Sequence, residues 1–119
     1  MRDGGPKALV VEDDAALRLL ARVNLELDGF EVIEAGTIAA AEEALASTTV
    51  DVALLDVHIG GTESYGLLER LRANGVPVGV VTGSADLETL RGVADDVLGK
   101  PFAPEALVGM ARRLARVER

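Results

Sequence analysis

The sequence predicts an open α/β fold, a parallel sheet of five strands with helices on both faces. Short apolar runs alternate with longer amphipathic stretches along the whole chain, the order expected when each strand is followed by a crossover helix. Most of those runs are nearly continuous in Val, Leu and Ala, which suits strands covered on both sides and not strands with one wet face.

The elements follow in order. The first strand is read at Ala8 to Val11. Leu17, Leu20, Ala21 and Leu25 then recur at i, i+3, i+4 and i+8, the core-facing stripe of a helix that Gly29 closes. Leu19, Val23 and Leu27 make the same helix apolar on more than one side. Such surplus can mark a partner surface, although exposed leucines are also common in their own right. Glu31 to Ile33 is the second strand, and the polar Glu31 and Glu34 at its ends suit an edge. Thr37 is the N-cap of a helix through Ala39 to Ala46. The third strand is Val50 to Leu55, and Gly75 ends the helix after it. Pro77 to Val81 is the fourth strand, with proline confined to its start because it cannot donate to a ladder. Asp96 to Leu98 is the fifth. Pro104 suits the first turn of a last helix in which Leu107, Ala111 and Leu114 recur at i, i+4 and i+7. Five such units imply five helices, and without a linker or low-complexity tract residues 1–119 read as one domain with its core at about 7–116.

Composition narrows the function. The 119 residues are 49% apolar and 27% charged, enough for one hydrophobic core of ordinary size. With no cysteine there is no disulfide framework and no thiolate metal site, which fits a reducing cytoplasm. Met1 to Lys7 has no apolar leader, and no segment approaches the ~20 apolar residues of a membrane span. The expectation is a soluble cytoplasmic protein with no membrane contact. A net charge of -8, from 20 acidic and 12 basic residues, opposes phosphate backbones and argues against direct nucleic-acid binding. Arg112, Arg113, Arg116 and Arg119 are the local exception. They stand where arginine complements the negative end of a helix, which is preferred here to a phosphate-binding patch.

In an open parallel sheet ligands bind beyond the carboxyl ends of the strands. Glu12, Asp13 and Asp14 follow the first strand, Asp56 the third, Thr82 the fourth and Lys100 the fifth. Each has a plain explanation alone: a helix cap at Asp13 or Asp14, a turn residue at Asp56, a loop hydroxyl at Thr82, a solvated charge at Lys100. Their coincidence at one sheet edge is informative. Crowded carboxylates repel one another and raise each other's pKa unless a divalent cation screens them. Oxygen donors without cysteine point to a hard ion, Mg2+, with Asp13 and Asp56 as direct ligands and Glu12 acting through water. With charge on an incoming phosphoryl group neutralised, an Asp56 oxygen can attack phosphorus in line and form an acyl phosphate. Thr82 and Lys100 could then hold the remaining phosphoryl oxygens.

The chain resembles the response-regulator receiver family of two-component signalling from about Lys7 to Arg116. The matching stretches are Ala8-Leu9-Val10-Val11-Glu12-Asp13-Asp14, Asp51-Val52-Ala53-Leu54-Leu55-Asp56, Val80-Val81-Thr82-Gly83 and Ala94-Asp95-Asp96-Val97-Leu98-Gly99-Lys100-Pro101-Phe102. The resemblance implies a flavodoxin-like strand order 2-1-3-4-5. It implies Asp56 as phosphoacceptor, Glu12 and Asp13 as the acidic pair, and the His58 carbonyl as a third metal ligand beside Asp13 and Asp56. Thr82 and Lys100 take the positions that sense and bind the phosphoryl group, Gly83 can offer it an N–H, and the Lys100-Pro101 bond is expected to be cis. The implied partners are a histidine kinase or phosphotransfer protein, with an output domain or a homodimer downstream. The only chemistry expected is the chain's own phosphorylation and self-catalysed dephosphorylation, which the His58 side chain and Ser84 could tune.

Two departures from the family pattern matter. An aromatic residue usually stands three positions before the lysine, and here it is Val97, stiff at χ1 and without a ring to swing. Output would then travel through the loop from Thr82 to Leu87 or the helix after it. The stretch Ile59-Gly60-Gly61-Thr62-Glu63-Ser64-Tyr65-Gly66 also replaces the common Leu-Pro-Gly-X-Asp-Gly form, adding backbone freedom. This is similar to a divergent, often single-domain group of receivers with a Phe-Ala-Thr-Gly-X-Tyr motif, of which Thr82 and Gly83 match. A magnesium-dependent phosphohydrolase with a nucleophilic aspartate is the first alternative, but that class has Asp-X-Asp after its first strand. The second alternative is an interaction module whose output is decoupled from phosphorylation, and Val97 and the altered loop after Asp56 are its support.

Overall fold

The computed structural model describes residues 5–59, 62–83 and 87–116. Gly60, Gly61, Ser84 and Arg119 lie outside the described residues. The chain runs β1 (Lys7–Val11), α1 (Ala15–Leu27), β2 (Glu31–Ala35), α2 (Ile38–Ser47), β3 (Val52–Asp56), β4 (His58–Ile59), β5 (Thr62–Glu63), α3 (Tyr65–Ala73), β6 (Val78–Thr82), α4 (Leu87–Leu90), β7 (Asp96–Gly99) and α5 (Pro104–Ala115). Five strands form a parallel sheet in the order β2-β1-β3-β6-β7. Counted within that sheet alone the order is 2-1-3-4-5, as the resemblance implies, with β2 at an edge.

Period-two alternation sends successive side chains to opposite faces and divides the core. Leu9, Val11, Ala53, Leu55, Val78 and Val80 pack with Ala41 of α2, Leu67, Leu68 and Leu71 of α3, and Leu90 of α4. Ala8, Val10, Val52, Leu54 and Val81 pack on the other face with Ala21 and Leu25 of α1 and Leu107, Met110 and Ala111 of α5. Gly79 has no side chain on that second face, and the Met110 tip fills the space, 2.7 Å from where a Cβ would stand.

The turns obey local chemistry. The Asp14 carboxylate caps α1, accepting from the N–H groups of Ala16 (2.9 Å) and Leu17 (3.1 Å). Thr37 caps α2 by accepting from Ala40 N–H at 3.0 Å, and Pro104 opens α5. Gly29 and Gly75 adopt φ of 100° and 80° just past helix ends, a conformation that costs glycine nothing. The Lys100-Pro101 bond is cis.

The structure also corrects the sequence reading. Among the described residues the fourth of the five expected helices is a single turn, Leu87–Leu90, which leaves four full helices on the sheet. β2 runs on to Ala35, and β3 begins at Val52 rather than at Val50. Pro77 lies just before β6, its carbonyl accepting from Ala53 N–H at 3.0 Å. A two-residue hairpin, β4 with β5, follows β3 where a plain loop was expected. Leu20 is 38% exposed and belongs with the outer leucines of α1, of which Leu27 is 81% exposed.

Candidate functional site

The carboxyl ends of β1, β3, β6 and β7 bring the predicted polar residues to one edge. Glu12 and Asp56 are both buried, at 6% and 7% exposure, and Asp13 beside them is exposed. One oxygen from each of Glu12, Asp13 and Asp56 lies within 4.8 Å of the others. Lys100 enters from β7, and its Nζ donates to Glu12 Oε1 at 2.8 Å and to Asp56 Oδ2 at 3.0 Å. The other Asp56 oxygen, Oδ1, accepts from His58 N–H at 3.0 Å. Asp14 N–H donates to Glu12 Oε2 at 3.2 Å, so both buried carboxylates are held at two points.

Burial pushes the Glu12 carboxyl above its ordinary pKa, with the Asp56 charge adding to the push and the Lys100 and Asp14 hydrogen bonds working against it. Burial by itself would lower the Lys100 ammonium, but its hydrogen bonds and attraction to Glu12 and Asp56 outweigh that and hold it above the ordinary lysine value. One ammonium therefore faces two buried carboxylates, with a third carboxylate at hand.

Thr82 is buried at the end of β6, and its carbonyl accepts from Lys100 N–H at 2.9 Å, fixing the lysine's strand against it. Gly83 follows at the exposed rim, and the His58 side chain points outward as an exposed residue of β4. Only about 20 Å3 of void lies beneath Glu12 and Asp56, walled by Val10, Leu17, Val81 and Phe102. Among the described residues the void beneath the two carboxylates is too small for an organic substrate.

Sequence reasoning missed two supporting residues. Arg18 of α1 donates from Nη1 to the Glu12 carbonyl at 2.8 Å and reaches Glu34 from Nε at 3.4 Å. Gly36 leaves it room, since a Cβ there would come within 3.0 Å of Nη1. Ser64 is buried, and its hydroxyl lies 2.8 Å from the Asp56 carbonyl and 3.1 Å from that of Val57. A serine just before a helix reads as an N-cap, so its pattern gave no sign of this other use. Arg112 pairs with Asp28 past the end of α1 at 3.4 Å and Arg113 with Asp96 of β7 at 2.8 Å, which favours a structural use over a phosphate-binding patch.

Fold and site together define an open, doubly wound α/β domain with an acidic pocket and an opposing lysine beyond its strand ends. The family model described as the response regulator receiver domain matches residues 8–112, and the chain belongs to that family, the receiver domains of two-component signalling. It is 34% identical to the transcriptional regulatory protein AruR of Pseudomonas aeruginosa, an alignment covering 93% of this chain and 50% of that protein. The phosphate regulon transcriptional regulatory protein PhoB of the same organism is 30% identical, with 94% and 52% covered. The chain thus spans about half the length of these relatives. Among solved structures, a CheY-like response regulator receiver domain protein from Methanospirillum hungatei JF-1 superposes with a TM-score of 0.85 at 28% identity over 94% of each chain. Among the described residues no helix is long and apolar enough to cross a membrane.

Proposed function

We propose that this receiver domain is a switch in the cytoplasm whose Asp56 accepts a phosphoryl group from the phosphohistidine of a histidine kinase or phosphotransfer protein. The observation that carries the reading is the Asp56 carboxylate, buried yet open at the rim, held by Lys100 and His58 N–H and sharing a 4.8 Å cluster with Glu12 and Asp13. An Asp56 oxygen attacks phosphorus while the P–N bond to the donor imidazole breaks, and the imidazole nitrogen leaves with the electron pair.

The donor set fits a hard divalent cation: carboxylate oxygens alone, crowded enough that burial has raised Glu12. Asp13, Asp56 and the His58 carbonyl, with Glu12 through water, would hold Mg2+, which would neutralise the charge of the incoming phosphoryl group. Lys100 exchanges its Asp56 contact for a phosphoryl oxygen. Thr82 takes another through its hydroxyl, and Gly83 N–H is available to a third. Hydrolysis by water at phosphorus resets the switch, and an output domain or a homodimer reads its state.

The test is phosphorylation with acetyl phosphate, with and without Mg2+. The wild type should carry an acid-stable, base-labile label that requires Mg2+, and Asp56→Asn should carry none. Equal labelling of both, or none in either, overturns the reading.

A second reading, an interaction module decoupled from phosphorylation, is favoured by Val97. It is a half-buried valine packed against the core on the α2–α4 side, at the position where the family usually has an aromatic residue. Beryllofluoride separates the two: backbone NMR changes reaching past the pocket support the switch, and changes confined to it support the module.

A further inference from the structure

We infer that Ser64 is a positioning residue for the phosphoacceptor, acting through the peptide unit between Val57 and His58. The inference rests on the reading of Asp56 given above.

Ser64 stands at the N-cap of α3, and its carbonyl begins the helix by accepting from Leu68 N–H at 3.1 Å. Its side chain does not cap that helix, although serine is among the preferred residues for doing so. The hydroxyl turns back to the end of β3 instead, 2.8 Å from the Asp56 carbonyl and 3.1 Å from the Val57 carbonyl. Ser64 N–H donates to the same Val57 carbonyl at 2.9 Å. At 2% exposure the group is shut off from water, so these contacts are not exchanged for solvent.

A peptide unit is planar, so the Val57 C=O and the His58 N–H point in opposite directions from one rigid plate. Ser64 grips one side of that plate with its N–H and with a hydroxyl whose single proton is shared between the Asp56 and Val57 carbonyls, and Ser64→Ala removes the hydroxyl's share alone. The other side donates to Asp56 Oδ1 at 3.0 Å. The orientation of the carboxylate that takes the phosphoryl group is thereby set from α3, across the β4–β5 hairpin, by a residue that touches no reacting atom. The next carbonyl along, that of His58, is the one proposed above to face the cation; it belongs to the following peptide unit, which hangs from this plate at the His58 Cα.

The test compares Ser64→Ala, Ser64→Thr and Asp51→Ala, the last removing the acceptor of Lys7 N–H at the amino end of the sheet, opposite the site. In metal-free protein Ser64→Ala should shift the His58 amide resonance and speed its exchange with solvent. Its Mg2+ affinity by calorimetry should fall about tenfold, the scale at which losing a support behind a metal ligand is felt. Ser64→Thr, which keeps the hydroxyl, should restore both readouts, and Asp51→Ala should lower the melting temperature without moving either. If Ser64→Ala does not melt cooperatively, Ser64→Cys, with a weak donor in a similar volume, is held to the same criteria. A variant that loses stability while the His58 amide and the Mg2+ affinity stay at wild-type values overturns the inference. A wild type that binds Mg2+ but takes no label from acetyl phosphate overturns the phosphoacceptor reading instead, and the metal-free amide data still decide the role of Ser64.

Discussion

At the amino end of the sheet Asp51 and Asp95 each brace the start of a strand, whereas at the carboxyl end Glu12 and Asp56 lie buried against one another. Asp51 Oδ2 accepts from Lys7 N–H at 2.7 Å while Asp51 N–H returns a bond to the Lys7 carbonyl at 2.8 Å. Asp95 repeats the reciprocal pattern on Val78, at 2.8 and 3.0 Å. Asp51 is half-buried and Asp95 exposed, each accepts from strand backbone, and Asp95 Oδ2 also meets Arg72 Nε at 3.5 Å. Glu12 and Asp56 instead share one lysine Nζ. The same functional group closes the fold at one end and is held under electrostatic tension at the other. The difference lies in burial and in how many negative charges each cation must serve.

The sharpest way to break this contrast is Lys100→Met. It leaves two buried carboxylates facing each other, and in metal-free protein at neutral pH it should cost about 3 kcal/mol, the lower end of what breaking a buried pair costs. Urea denaturation should show much of that loss recovered on adding Mg2+. A neutral Lys100→Met would mean that the carboxyl end is no more strained than the amino end.

Asp51→Ala or Asp95→Ala should cost less, about 1 to 2 kcal/mol each, for the strand N–H left without its charged acceptor. Calorimetry should find Mg2+ affinity unchanged in both, which would sharpen the division of labour between the ends.

The smallest effect is in pH. Burial holds the folded Glu12 pKa above its unfolded value, so the folded chain binds that proton more readily than the unfolded chain does. Stability from this group is therefore greatest at acid pH and falls as pH rises from the ordinary value through the raised one. Denaturation of wild type and Glu12→Gln from about pH 4 to pH 7 should show that decline in the wild type only. A rise in its place would reverse the argument.

Much of this was legible in the sequence, and the limits are physical. The central strands β1, β3 and β6 could be read because they are buried on both faces and so are written as nearly unbroken apolar runs. β2 was read short because Glu34 turns outward from an edge strand that continues to Ala35. The β4–β5 hairpin is two residues per strand, too short for any periodicity. Leu20 followed helical spacing yet faces outward, since spacing fixes a stripe but not its width. At the site, Glu12, Asp13, Asp56, Thr82 and Lys100 could be named from their places after strands. Ser64 and Arg18 could not, because both act on backbone carbonyls, whose directions leave no trace in residue order.

The sheet is also a partition. Its two apolar layers share no buried side chain, and substitutions that share no partners add independently. A change at Leu71 and one at Met110 should combine as a simple sum, while two changes within one layer should couple. For sequence drift the problem factorises: either layer can be rewritten by repacking itself without consulting the other. At the rim Val11 of one layer and Val10, Leu54 and Val81 of the other line one small void with Glu12 and Asp56, and there the chain has the least freedom to wander.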